Sequence, residues 1–160
     1  MPLDAQRFRT TFSAVPTSVA VVTSVDEAGQ PHGMTIGSLS ALSLTPPLLL
    51  FSIARTAGAH AALCDADRYC VSLLAQGQEA VARLFAERGA DRFAEDLVDF
   101  EGLPAIPGAL GWLLCARERI VEAGDHTIAI GRVDRATTHD RPPLLYWRRA
   151  YRELAGHAVA

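Results

Sequence analysis

Val19-Ala-Val-Val-Thr-Ser-Val25, followed by Asp26-Glu-Ala-Gly-Gln-Pro31 and then by Gly33 to Ile36, Leu39 to Leu44 and Leu48 to Ile53, is the stretch that decides the fold class. Residues 19–25 are dense in β-branched side chains, which fit a pleated surface, and residues 26–31 are rich in turn formers. They predict a strand and a hairpin loop. Pro46-Pro47 cannot continue a ladder and forces a break between the last two strands. Working outward, Phe8 to Phe12 with Val15 predicts a short helix packed against a barrel, because Phe8 and Phe12 share a face at i,i+4. Ala57 to Ala66 is alanine-rich and reads as a second helix. A third covers Gln78 to Arg88, with Val81, Leu84, Phe85 and Arg88 on one stripe and Gly89 ending it. Tyr69 to Leu74, Trp112 to Val121 and Thr127 to Ala136 predict strands, with Gly124-Asp125 as the turn joining the last two. A final pair lies around Leu144 to Trp147 and Tyr151. Asp91 to Gly111, punctuated by Gly102, Pro104, Pro107 and Gly108, reads as loop. Many short strands with few helices point to a mainly β chain and a closed barrel, not a doubly wound sheet.

The chain has 160 residues, 49% of them hydrophobic, which suits one core better than two and predicts a single domain over residues 1–160. Its apolar runs fall short of the roughly 18 residues of a membrane helix, and Met1 to Arg9 lacks the apolar stretch of a secretory signal. A soluble cytoplasmic protein is expected. Cys64, Cys70 and Cys115 form no Cys-x-x-Cys pair and sit in apolar runs, as buried thiols do in a reducing compartment. The net charge of −3, with acids and bases interspersed, offers no basic stripe for nucleic acid. All 15 basic residues are arginine, and the chain lacks asparagine as well as lysine, the mark of a GC-rich genome.

No Gly-x-Gly-x-x-Gly follows a strand, so a dinucleotide would bind outside a Rossmann fold. Gly-x-Ser-x-Gly, His-Glu-x-x-His and the P-loop are also absent, which removes support for hydrolase, zinc protease and kinase chemistry. His32, His60, His126, His139 and His157 lack ligand spacing, and no metal site is expected.

A set of motifs then recurs in a fixed order. Thr17-Ser18-Val19-Ala20-Val21-Val22-Thr23 is similar to Thr-Gly-Val-x-Val-Val-Thr, and His32-Gly33-Met34-Thr35-Ile36-Gly37-Ser38 to His-Gly-Met-Thr-x-x-Ser. Ser43-Leu44-Thr45-Pro46-Pro47-Leu48, Phe85-Ala86, Asp91-Arg92-Phe93, Gly124-Asp125-His126, Ile130-Gly131-Arg132-Val133 and Pro143-Leu144-Leu145-Tyr146 follow. From about Phe8 to Leu154 the chain resembles the short-chain flavin reductases that supply reduced flavin to two-component monooxygenases. The resemblance implies a Greek-key split β-barrel homodimer with FAD or FMN near the dimer interface. It also implies hydride transfer from NADH, less commonly NADPH, to flavin N5, followed by transient delivery of flavin to a separate monooxygenase. Such cofactors do the bond chemistry themselves, so no catalytic acid or nucleophile is needed.

The resemblance assigns flavin binding to Thr17 and Ser18, to Thr35, Ile36, Ser38, Ser40, Ala41 and Leu42, to Ser52, Ile53, Ala54 and Thr56, and to Phe85, Ala86, Arg88 and Arg92. Between Thr35 and Ser43 the alternation also suits an ordinary strand with an outward polar face. Free amides entering the Ala57 helix could hold a flavin phosphate, while Thr56 could equally cap that helix. Arg88 and Arg92 could complete the phosphate site, or pair with Glu87 and Glu95. The resemblance assigns Gly124, Asp125, His126, Tyr146 and Tyr151 to the nicotinamide. His126 would meet the carboxamide with Asp125 behind it, against the alternative of a plain hairpin turn with an exposed histidine. The two tyrosines could instead be core or dimer packing. Ser18, Gly37, Leu39, Ala59 and Ser72 depart from the family pattern and leave FAD against FMN open. A reductase with tightly held flavin, a flavin-binding protein without turnover and an oligomerisation module are the other readings.

Overall fold

A computed structural model describes residues 3–94 and 96–154, so His157 and Glu95 lie outside the described residues. In chain order the elements are α1 (Ala5–Phe12), β1 (Thr17–Ser18), β2 (Ala20–Val25), β3 (Pro31–Ile36), β4 (Ser40–Leu44), β5 (Pro47–Ala54), α2 (His60–Asp65), β6 (Arg68–Leu73), α3 (Glu79–Ala86), β7 (Val98–Phe100), β8 (Leu103–Ala105), β9 (Gly111–Ala123), β10 (His126–Thr138), β11 (Leu144–Trp147) and β12 (Ala150–Glu153). Seven strands form one antiparallel sheet in the order β3-β2-β6-β9-β10-β5-β4, with β1-β11-β12 and β7-β8 as smaller sheets. The class is mainly β with three helices among the described residues. No described helix is long and apolar enough to cross a membrane.

The expected closed barrel is not present as a continuous backbone ladder, because β3 and β4 are both edges of the large sheet. The chain turns between them at Gly37 and Ser38, where a side chain replaces main-chain pairing. The Ser52 amide donates to Ser38 Oγ at 2.8 Å, tying this corner to β5.

β5 shows why these residues make this sheet. Leu49, Phe51 and Ile53 point inward at period two and are buried, each burial contributing roughly 1.5–3 kcal/mol. Phe51 meets Tyr69 edge-on, ring centroids 5.4 Å apart, in the main core. A second cluster, including Val21, Leu74, Phe85, Ile106 and Leu144, joins α3 to the sheet. There Gly33 is required by contact, since a Cβ would sit 3.0 Å from the Val22 carbonyl oxygen and 3.1 Å from Phe85 Cε1.

Three expectations need correction. Although Asp4 caps α1 by accepting from the Arg7 amide at 2.7 Å, no residue of the helix is buried. Phe8 and Phe12 lean on each other, centroids 4.9 Å apart, instead of on a barrel. Second, α2 starts only at His60 and its N-cap is Ala59, so Thr56 does not cap it. Third, the stretch read as loop contains the β7-β8 ribbon. Phe100 pairs with Leu103 across a two-residue turn in which Glu101 and Gly102 take φ of 57° and 86°. The β11-β12 turn repeats this with Arg148 and Arg149, at φ of 48° and 61°. Left-handed backbone costs a residue with a Cβ about 1–2 kcal/mol, so Glu101 and the Arg148-Arg149 pair are held by their strands, while Gly102 takes its φ freely.

Cys70 and Cys115 are fully buried, and burial pushes their thiols up to about 11 and about 12. Cys64 is partly buried and raised for the same reason. An alkylating reagent at neutral pH is therefore expected to leave Cys70 and Cys115 unlabelled in folded protein and to react in denaturant, read by peptide mass mapping. Labelling of either without denaturant would contradict this packing.

Candidate functional site

The sheet corner, α3 and the β11-β12 hairpin enclose a cavity of about 580 Å³, within the size range of small-molecule sites. Thr35, Ile36 and Gly37 come from the end of β3; Arg83, Ala86 and Glu87 from α3 and its exit; Tyr146, Arg149 and Tyr151 from the hairpin. A second cavity of about 220 Å³ adjoins it, sharing Thr35 and Ala86. Its far wall is Ala54 and the segment from Thr56 to Ala59, with Phe85, Arg88 and Arg92 opposite. Together they form one trough beneath α3. A groove of about 880 Å³ elsewhere is larger, but Asp26, Glu27, Asp65 and Asp67 face only Arg68 and His32 there, a poor field for a phosphate.

The smaller cavity has the chemistry of an anion site. In the segment after β5, Arg55, Ala57 and His60 donate their amides to Asp125, Ala54 and Ala57. The Thr56, Gly58 and Ala59 amides donate to no backbone carbonyl among the described residues. Arg88 donates to the Thr56 carbonyl at 3.2 Å, and Arg92 to the Glu87 carbonyl. Neither pairs with a carboxylate among the described residues, and Arg92 Nε is buried without a partner. Open amides beside two guanidinium groups fit a phosphate monoester.

Hydroxyls expected to meet a ligand are partly spent on the fold. Thr35 Oγ1 donates to the Ala82 carbonyl at 2.7 Å, locking β3 to α3, and Ser38 Oγ serves Ser52. Ile53 is wholly buried, and Ser52, Ser40, Ala41 and Leu42 line neither cavity. Thr17 stands behind Gly37, its Oγ1 3.1 Å from where a Cβ would be, while Ser18 pairs with Leu145. Among the family departures, Ser72 is buried and accepts from the Ile106 amide at 3.0 Å, so its role is structural.

His126 opens β10 directly after the turn at Gly124-Asp125, where Gly124 takes φ 61°, as the first position of such a tight turn requires. Its Nδ1 lies 2.7 Å from Asp125 Oδ1, and this hydrogen bond is the main cause holding the Asp125 carboxyl below its usual range. With the carboxylate ionised, Nδ1 donates to it, and the tautomer protonated at Nδ1 has Nε2 as its acceptor. His126 does not line either cavity, but it pairs with Ala54, which does. Paired strand residues lie about 5 Å apart, so the turn borders the smaller cavity on its Ala54 side. Tyr146 and Tyr151 meet at 5.2 Å as a wall of the larger cavity.

Sequence reasoning missed Arg83, Glu87 and Arg149. Arg83 and Glu87 share a helix face at i,i+4, a signal that was available on the polar side of the Val81 stripe. Arg149 carries none, because only the hairpin brings it here.

Residues 12–155 match the model of the flavin reductase like domain. The chain belongs to the flavin reductase-like family. It is 41% identical over 151 residues to the NADH:riboflavin 5'-phosphate oxidoreductase of Streptomyces pristinaespiralis, covering 91% of this chain and 86% of that one. It is 37% identical to the reductase component of the flavin-dependent trigonelline monooxygenase of Acinetobacter baylyi, over 91% of this chain and 48% of that one. Two other curated relatives are likewise spanned only in part, over 52% and 65% of their length. The NADH:FAD oxidoreductase of Streptomyces globisporus, solved with NAD and FAD fragments, superposes with a TM-score of 0.91 at 37% identity, covering 99% of each chain.

Proposed function

We propose that the trough holds a flavin with NADH over it, and that the reduced flavin leaves for a separate oxygenase. The chain is an NADH-dependent flavin reductase. The observation that carries the assignment to this site is the single trough with anion donors at one end and a tyrosine wall at the other. A flavin fits it, with the phosphate on the Thr56 to Ala59 amides, Arg88 and Arg92, and the ring edge against the backbone of Thr35 to Ser38. The bound flavin supplies the hydride acceptor, and the nicotinamide the hydride.

The protein's part is positional. His126, aimed by Asp125, offers Nε2 to the carboxamide N–H and sets which face of the nicotinamide looks into the trough. Tyr146 and Tyr151 exclude water from the opposite end, which favours direct transfer between stacked rings. Closure into a split barrel through the Ser38 corner, one domain over the whole chain and a cytoplasmic location belong to the same reading. A homodimer belongs to the same reading, and Phe12 (62% exposed) and Leu44 (91%) are apolar side chains that it could cover.

The deciding experiment follows NADH absorbance with FMN and FAD added separately. Turnover that saturates in free flavin, from a colourless protein, is expected. A yellow protein active without added flavin would make the flavin prosthetic, and absence of flavin-dependent turnover would leave only a flavin-binding role.

A further inference from the structure

The β11-β12 turn is built from Arg148 and Arg149, both left-handed, where Asn-Gly or Gly-Gly would make the same hairpin without strain. Its placement is held from outside. Trp147 Nε1 donates to the Ala14 carbonyl and the Arg148 amide to the Ser13 carbonyl, each at 2.9 Å, so the segment after α1 pins the turn. A strained conformation held by its surroundings calls for a reason at that position.

The two arginines part company. Arg148 is stacked over the Trp147 ring at 4.7 Å and lines neither cavity of the trough. Arg149 lines the larger cavity, and its guanidinium makes no ion pair or hydrogen bond among the described residues. The other guanidinium there, Arg83, is already satisfied: it donates twice to Glu79, at 2.9 and 2.6 Å, and lies 5.0 Å over the Tyr151 ring. Arg149 is thus the cation of that lining with its charge uncommitted, in the part of the trough that lacks the phosphate donors Arg88 and Arg92.

We propose that Arg149 is a specificity residue that recognises the diphosphate of the nicotinamide dinucleotide. The assignment rests on the flavin reductase reading. The flavin phosphate has its donors in the smaller cavity, so the anion left to be met in the larger one is the bridge of the dinucleotide. A guanidinium offers that bridge forked donors in one plane. Glu87, the carboxylate of the same lining, limits how much negative charge the cavity accepts, which suits two phosphates better than three.

Arg149→Gly tests this without harming the fold, because glycine suits φ 61° and removes only the cation. With FMN as acceptor, the KM for NADH should rise about tenfold, the loss of one charge-assisted contact, with kcat within about twofold. Reduced nicotinamide riboside carries no phosphate at all, so its KM should be the same in variant and parent. The thermal midpoint should hold or rise, and Arg148→Gly should leave the NADH KM where it was. An unchanged NADH KM, or an equal rise for the riboside, overturns the assignment. A rise confined to the KM for FAD, with NADH and FMN untouched, overturns it in favour of the second flavin phosphate. Absence of NADH oxidation by the parent protein with either flavin is the separate failure of the reductase reading itself.

Discussion

His126→Ala is expected to raise the KM for NADH by about tenfold or more while leaving the Kd for flavin within about twofold, because the lost acceptor strands a polar carboxamide worth about 1–3 kcal/mol. The histidine is held by one turn. Gly124 sets the corner, the Asp125 carbonyl accepts from the Arg55 amide at 3.0 Å, and Asp125 Oδ1 fixes the ring at Nδ1. Steady-state kinetics with varied NADH, beside fluorescence titration of flavin, separates the two effects. Equal losses in both would move His126 off the nicotinamide. The Asp125 carboxyl is held below its ordinary value by the His126 hydrogen bond, and its charge is lost only as pH falls through that lowered value. The carboxylate that aims the ring therefore stays ionised down to the ordinary carboxylate range, about pH 4.

Phe85→Ala should cost about 3–5 kcal/mol of stability, a large share of the roughly 5–15 kcal/mol that folds a domain of this size. Phe85 is 2% exposed, meets Phe93 edge-on at 5.5 Å and fills the space that Gly33 leaves by lacking a Cβ. It is also a wall of the smaller cavity, so flavin affinity should fall with it. Phe85→Leu keeps most of the volume and should cost less than about 2 kcal/mol with flavin binding largely retained. Urea midpoints of both variants check the pair. A loss below about 1 kcal/mol for the alanine would mean that α3 is not anchored through this ring.

The strands that build the large sheet were legible because their patterns are local. Residues 19–25 read as β from branching and 48–53 as an apolar run set off by Pro46-Pro47, and within it Leu49, Phe51 and Ile53 turn inward. The two short hairpins were not legible. Glu101-Gly102 hid the β7-β8 ribbon, and Arg148-Arg149 carried no turn chemistry, because the flanking strands impose the left-handed backbone. The Phe8 and Phe12 stripe was read as core-facing, yet a helical stripe does not say what covers it. At the site, the Asp125-His126 pair was readable because the partners are adjacent in sequence. That the Thr35 and Ser38 hydroxyls are committed to Ala82 and Ser52 was not, since both partners are distant in the chain. Arg83 and Glu87 needed only helical spacing; Arg149 needed the tertiary fold.

The protonated state of the sulfur atoms acquires a meaning once the product is considered. Reduced flavin released in air passes electrons to dioxygen and yields hydrogen peroxide, and peroxide oxidises thiolates far faster than thiols. Cys70 and Cys115 sit in the sheet interior with their ionisation pushed far above neutral pH, and Cys64 is shifted the same way. Under the proposed release of reduced flavin, that oxidant would form close to the protein. Here the hydrophobic core that stabilises the sheet also shields the protein from the leakage of its own reaction.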